Sequence, residues 1–142
     1  MFPGSLRQKR HKAYLMCQSD AQVLVNIARR LSSLHLDGWV HRDLKPGNVL
    51  WLTRKQRWTL IDFGLAARTG TLVTASFTPT YAAPEAMRAY KAGTGCIAQP
   101  SMDAWAMGVM AFELLTHKPA FDKFKGGSDK VRTFEFQILF LF

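Results

Sequence analysis

The sequence predicts an α+β chain in which helix dominates. Three observations carry that prediction: apolar residues at helical spacing over residues 20–36, an almost unbroken apolar helical pattern over residues 103–115, and two short apolar runs around a polar turn between them. A chain of 142 residues that is 48% hydrophobic and 12% aromatic can bury a core as one domain. Its composition is globular, neither disordered nor fibrous.

Ser19 and Gln22 stand at capping-box spacing, and Leu24, Ile27, Ala28, Leu31 and Leu34 then fall on one helical face. A helix is therefore expected over residues 20–36, closed by Gly38. "VLWL" (49–52) and "WTLI" (58–61) flank "TRKQR", the pattern of a β-hairpin. "GLAARTGTLVTASFTPT" (64–80) is rich in Gly, Ser and Thr without a sustained period, as a long functional loop would be. "DAWAMGVMAFELL" (103–115) is apolar almost all round, which predicts a helix buried on every side, and "THKPAF" ends it with basic residues ahead of Pro119. The last run, "RTFEFQILFLF" (132–142), alternates and then turns continuously apolar, which suits a strand and would aggregate if exposed. There is no internal repeat.

The net charge of +9 is partly clustered in "RQKRHK" (7–12) and "RKQR" (54–57), which favours acidic or phosphate-bearing partners. Nucleic acid is disfavoured among these, because aromatic residues do not interleave with the basic ones. The N-terminal "MFPGSLRQKRHK" has no apolar signal core, and no run approaches the roughly 20 apolar residues that span a bilayer. An intracellular protein, cytoplasmic or nuclear and without a transmembrane segment, is expected. Cys17 and Cys96 lack metal-ligand spacing and read as reduced thiols.

The chemistry concentrates in "HRDLKPGNVL" (41–50). Phosphoryl transfer needs a carboxylate near the attacking hydroxyl, a cation on the transferred phosphate and ligands for magnesium. Asp43 can accept the hydroxyl proton, Lys45 can neutralise the phosphate, and the side-chain oxygen of Asn48 can bind a hard cation. The hairpin then returns the chain to Asp62, a second oxygen ligand. Because hairpin geometry brings its two strand ends together, Asn48 and Asp62 can share one metal cluster.

With these residues in place the chain resembles the catalytic lobe of a eukaryotic-type Ser/Thr protein kinase. "HRDLKPGN" is similar to the family's catalytic loop, "DFG" (62–64) to its magnesium loop and "APE" (83–85) to the end of its activation segment, all in order and suitably spaced. "DAWAMG" (103–108) is similar to the family's D-x-W-x-x-G core helix. The resemblance covers residues 20–121 and implies a kinase-like large lobe, mainly α, with a small β-hairpin at the active-site edge. It implies Asp43 as catalytic base, Lys45 as the phosphate-contacting lysine, Asn48 and Asp62 as magnesium ligands, and Leu50 as the floor of the adenine pocket. ATP and Mg2+ would be the cofactors and a protein the substrate. His41, Phe63 and Asp103 align with buried framework positions, and Gly64 and Glu85 with structural ones. Arg42, directly before the base, implies a phosphorylated loop that holds it. Thr69, Thr71, Thr74, Ser76 and Thr78 are the loop's hydroxyls; Thr78 resembles the residue that contacts the catalytic Asp and Lys, which leaves Thr74 or Ser76 as the phosphosite.

The sequence also departs from that family. It divides into a basic segment (1–19), the kinase-like region (20–121) and a divergent apolar tail (122–142). A small lobe of five strands and a helix needs roughly 60 residues. Residues 1–19 hold one glycine, Gly4, and no glutamate, so the small lobe with its Gly-rich loop and lysine–glutamate pair is expected to be absent. Glu85 has no assignable partner, although Arg132 is available. Little activity is expected of the chain alone. The alternative is a non-catalytic interaction module that complements or competes with another kinase chain.

Overall fold

The computed structural model describes residues 20–121. Cys17, Ser19 and its capping box, the basic segment and the apolar tail with Arg132 lie outside the described residues. The chain runs through helix α1 (Asp20–Leu36), strands β1 (Trp39–Val40), β2 (Val49–Leu52), β3 (Arg57–Leu60), β4 (Ala67–Arg68) and β5 (Leu72–Val73), helix α2 (Pro84–Lys91), strand β6 (Cys96–Ile97) and helix α3 (Pro100–Thr116).

The first helix follows its period. Val23, Ile27 and Leu31 recur every four residues and are its buried positions. It ends where Gly38 adopts φ +77° and donates its N–H to the His35 carbonyl at 2.9 Å, a conformation that costs glycine little. The hairpin forms as expected, with Val49 opposite Leu60 and Trp51 opposite Trp58. Gln56 at φ 48° turns the chain after a 3-10 turn at Thr53–Lys55. The two tryptophan rings lie 5.4 Å apart at 56°, a cross-strand aromatic pair.

One core joins α1, the hairpin and α3: Val23, Ile27, Leu31, Leu44, Val49, Trp58, Leu60, Ala106, Met110 and Leu114 form a single cluster. Leu44 belongs to the "HRDLKPGN" loop and is 1% exposed. It sets the polar residues on either side of it against the floor of the core.

Two expectations are corrected. Residues 64–80 are not uniformly loop: β4 pairs antiparallel with β1, and β5 with β6. Two-residue strands are too short to show a period, and their partners lie far away in sequence. Nor is α3 buried on every side among the described residues. Met102, Ala106, Val109, Met110 and Leu114 face inward, while Phe112 is 41% and Leu115 58% exposed. Apolar residues on the outer face hid the inward stripe. Its start at Pro100 and the left-handed His117 after its last residue fit the ordinary grammar of helix ends. Among the described residues no helix is long and apolar enough to cross a membrane.

Candidate active site

The site forms where the loop between β1 and β2 meets the segment after β3. Two contacts join them: Ile61 donates its N–H to the Asn48 carbonyl at 3.0 Å, and the His41 ring nitrogen Nε2 lies 3.2 Å from the Ile61 carbonyl oxygen. A 3-10 turn at Pro46–Asn48 carries the chain from the loop into β2.

Asp103, at the start of α3 and fully buried, organises the loop from beneath. Its Oδ2 accepts the His41 N–H at 2.8 Å and its Oδ1 accepts the Arg42 N–H at 2.8 Å. His35, on the last turn of α1, places Nε2 2.8 Å from the same Oδ2. A buried carboxylate is costly unless its oxygens are satisfied, and three partners satisfy this one. The arrangement also holds Arg42 at φ 68°, a left-handed conformation that costs a non-glycine residue roughly 1–2 kcal/mol. His41 is 0% exposed and serves as packed framework.

Asp43 is thereby presented to the surface with its carboxylate surrounded by donors. Lys45 Nζ reaches Oδ2 at 2.6 Å, Thr78 Oγ1 donates to Oδ1 at 2.6 Å, and Asn48 Nδ2 donates to Oδ2 at 3.1 Å and to the Asp43 carbonyl at 2.9 Å. Lys45 also donates to the Thr78 hydroxyl at 3.0 Å. Burial by itself would raise the Asp43 pKa. The hydrogen bonds from Lys45 and Thr78, the Lys45 charge and the Asn48 amide outweigh it and leave the carboxyl below the ordinary aspartate range.

Arg42 extends across the site. Nη1 donates to the Leu65 carbonyl at 2.9 Å and Nη2 to the Thr74 carbonyl at 2.6 Å. Thr74 and Ser76 are exposed, and the Ser76 N–H also reaches the Thr74 carbonyl at 2.8 Å. Asp62 is exposed at φ 62°, with Oδ1 accepting the Gly64 N–H at 3.3 Å. Leu50 is half-buried on β2.

The donor set can be tested against the implied metal. Asn48 uses its amide nitrogen on Asp43, which leaves its oxygen for other duty, and Asp62 offers a carboxylate on the facing segment. No group of three His, Cys, Asp or Glu that could hold a metal ion occurs among the described residues. Two oxygens and an open side fit Mg2+, which keeps waters and phosphate oxygens in its shell and is rarely caged by protein alone.

Two placements differ from expectation. Phe63 is 50% exposed where a buried framework residue was expected, its ring tilted over His41 at 4.9 Å. One face rests on His41, and no described element closes over the rest. Glu85 has a partner after all: the Ser101 hydroxyl donates to its Oε1 at 3.2 Å, bridging α2 and α3. Sequence reasoning did not single out His35, or Tyr81, whose hydroxyl donates to Glu113 Oε2 at 2.8 Å. Both contacts span long sequence separations, and no local pattern marks them.

Residues 3–139 match the protein kinase domain family, so the chain belongs to it. Within that family its relatives are eukaryotic-type Ser/Thr kinases. It is 45% identical over 92 residues to the Mus musculus serine/threonine-protein kinase SBK2, covering 63% of this chain and 25% of the relative. It is 33% identical over 116 residues to the Mus musculus ribosomal protein S6 kinase alpha-2, covering 77% of this chain and 15% of the relative. The solved structure of the Cydia pomonella granulovirus kinase PK-1 superposes with a TM-score of 0.69 at 27% identity, over 92% of this chain and 46% of that one. The chain thus spans a quarter or less of the length of these two curated relatives.

Proposed function

We propose that residues 20–121 form the large, catalytic-loop lobe of a Ser/Thr kinase that transfers the γ-phosphoryl group of ATP to a hydroxyl of a protein substrate. The observation that carries this reading is the Asp43 carboxylate, ionised and bonded to Lys45, Thr78 and Asn48. In the reaction the substrate oxygen bonds to the γ-phosphorus, the bridging bond to the β-phosphate breaks, and ADP leaves. Asp43 takes the hydroxyl proton as the oxygen commits, a role that suits a carboxylate with a depressed pKa because the proton moves late. Lys45 sits within reach of Asp43 and neutralises the moving phosphoryl group. Thr78 orients both. Asn48 and Asp62 would hold Mg2+, which draws charge from the phosphate oxygens when bound. Leu50 lines the adenine side, and Arg42 joins the loop to the activation segment. Such a protein would act inside the cell, where ATP and Mg2+ are supplied.

A Gly-rich loop and a lysine–glutamate pair over the phosphates are not among residues 20–121, so these residues provide the floor of a nucleotide site. Thermal melting of the purified chain with and without Mg-ATP tests the reading. A rise in Tm that requires intact Asp62 supports it, and a melt indifferent to Mg-ATP, or equally raised in Asp62→Asn, refutes it. The exposed Phe63 favours a second reading, a non-catalytic module that complements or competes with another kinase chain. A stoichiometric partner retained by the Asp43→Asn variant would support that instead.

A further inference from the structure

The segment after the magnesium loop is tied down by main-chain bonds over residues 67–73. β4 pairs with β1, then Thr69 donates its N–H to the Gly38 carbonyl at 2.9 Å. Gly70 donates to the Ala98 carbonyl at 2.8 Å, and Ala98 donates back to Thr71 at 2.9 Å. The ribbon of β5 and β6 follows directly, with Leu72 opposite Ile97 and Val73 opposite Cys96. At its end Gly95 sits so close that a Cβ there would lie 2.9 Å from the Val73 carbonyl oxygen and 3.0 Å from Leu72 Cδ1. Only glycine closes the ribbon without displacing backbone.

The cations nearby are used in a matching way. Both terminal nitrogens of Arg42 are given to main-chain carbonyls, Leu65 and Thr74. Arg68 points elsewhere: its guanidinium lies 4.6 Å from the Trp39 ring centroid and donates to the Asp37 carbonyl at 3.0 Å. Lys45 is engaged with Asp43 and Thr78. A phosphate on Thr74 or Ser76 would order a loop by creating new charge-assisted bonds to a cation cluster. Here the segment is already ordered by bonds that need no phosphate.

We propose that residues 69–78 are held in their ordered conformation by the β5–β6 ribbon, the Arg42 bond to the Thr74 carbonyl and the Thr78 bonds with Asp43 and Lys45, independently of phosphorylation at Thr74 or Ser76. The inference rests on reading residues 62–85 as the activation segment, and it makes Gly95, outside that segment, a determinant of its order.

The test is limited chymotryptic cleavage of the purified chain, with cuts mapped by mass spectrometry at Leu72 and Phe77 and compared with cutting at Phe112 in α3. Phosphatase-treated protein, with loss of phosphate checked by intact mass, and the Thr74→Ala/Ser76→Ala double variant are expected to be cut at Leu72 and Phe77 at the untreated rate. Gly95→Val is expected to be cut about tenfold faster at Leu72 with Phe112 unchanged, since local opening exposes the ribbon alone. Gly95→Ala serves the same purpose with a smaller side chain. Faster cutting after phosphatase or in the double variant would overturn the proposal, as would glycine variants whose cleavage is unchanged or rises equally at Phe112. The Mg-ATP melt is read separately, so failure of the kinase reading and failure of this inference give different results.

Discussion

Residues 41–48 and 62–64, the proposed catalytic and magnesium loops, lie side by side, yet they are built in opposite ways. Residues 41–48 are fixed from within the fold: Leu44 is in the core, and Asp103 accepts two consecutive loop amides. Asp43 is bracketed by Lys45, Thr78 and Asn48. Residues 62–64 are exposed, with Phe63 resting on one ring and Asp62 held by a single 3.3 Å bond from Gly64. Both loops contain a left-handed non-glycine residue, Arg42 and Asp62, but only Arg42 has a buried carboxylate clamping its N–H. The Asp43 carboxylate, the proposed base, is therefore preorganised by the fold, whereas Asp62, the proposed metal ligand, is held by one local bond.

Variants break this contrast in a definite order. Asp103→Ala should be the most damaging, because it orphans the buried N–H of His41 and the partly buried N–H of Arg42 and releases the strained arginine. A loss of about 4 kcal/mol is expected in urea unfolding. Leu44→Ala, which empties a core position beneath the loop, should cost about 3 kcal/mol in the same measurement. Thr78→Val removes one partly buried hydroxyl from Asp43 and should cost about 1 kcal/mol, while lowering any phosphoryl transfer more than it lowers stability. Asp62→Asn should change the stability of the unliganded chain by less than about 0.5 kcal/mol, yet abolish its response to Mg-ATP.

Acid sharpens the same comparison. The Asp43 pKa is lower in the folded chain than in the unfolded one, so its contribution is present above the unfolded value. It is lost as pH falls through the depressed folded value. The stabilisation is modest because the group is partly exposed. Replacing Lys45 by Met removes a hydrogen bond and a positive charge, so the Asp43 carboxyl should titrate at higher pH, a shift that carboxyl-resolved NMR would register.

Much of this was legible because the informative residues are neighbours in sequence. Asp43, Lys45 and Asn48 occupy six positions, the 20–36 helix repeats its apolar residues with the helical period, and the hairpin shows two apolar runs around a polar turn. What escaped depends on distant partners or on elements too short to repeat. The β1–β4 and β5–β6 pairs are two residues per strand, α2 is a single eight-residue helix, and the His35–Asp103 contact spans 68 positions. The exposure of Phe63 depends on which elements close over it, something composition does not encode. The outer face of α3 misled because apolar residues there look the same as apolar residues inside.

Residue-resolved amide exchange of the purified chain, with and without Mg-ATP, tests the contrast most directly. The His41 and Arg42 amides are expected to exchange as slowly as those of α3 without nucleotide and not to change when it is added. The Gly64 amide should exchange fast in the unliganded chain and slow by about tenfold with Mg-ATP. Fast exchange at His41 and Arg42 in the unliganded chain, or protection of both loops only when nucleotide binds, would contradict an Asp43 loop preorganised by the fold.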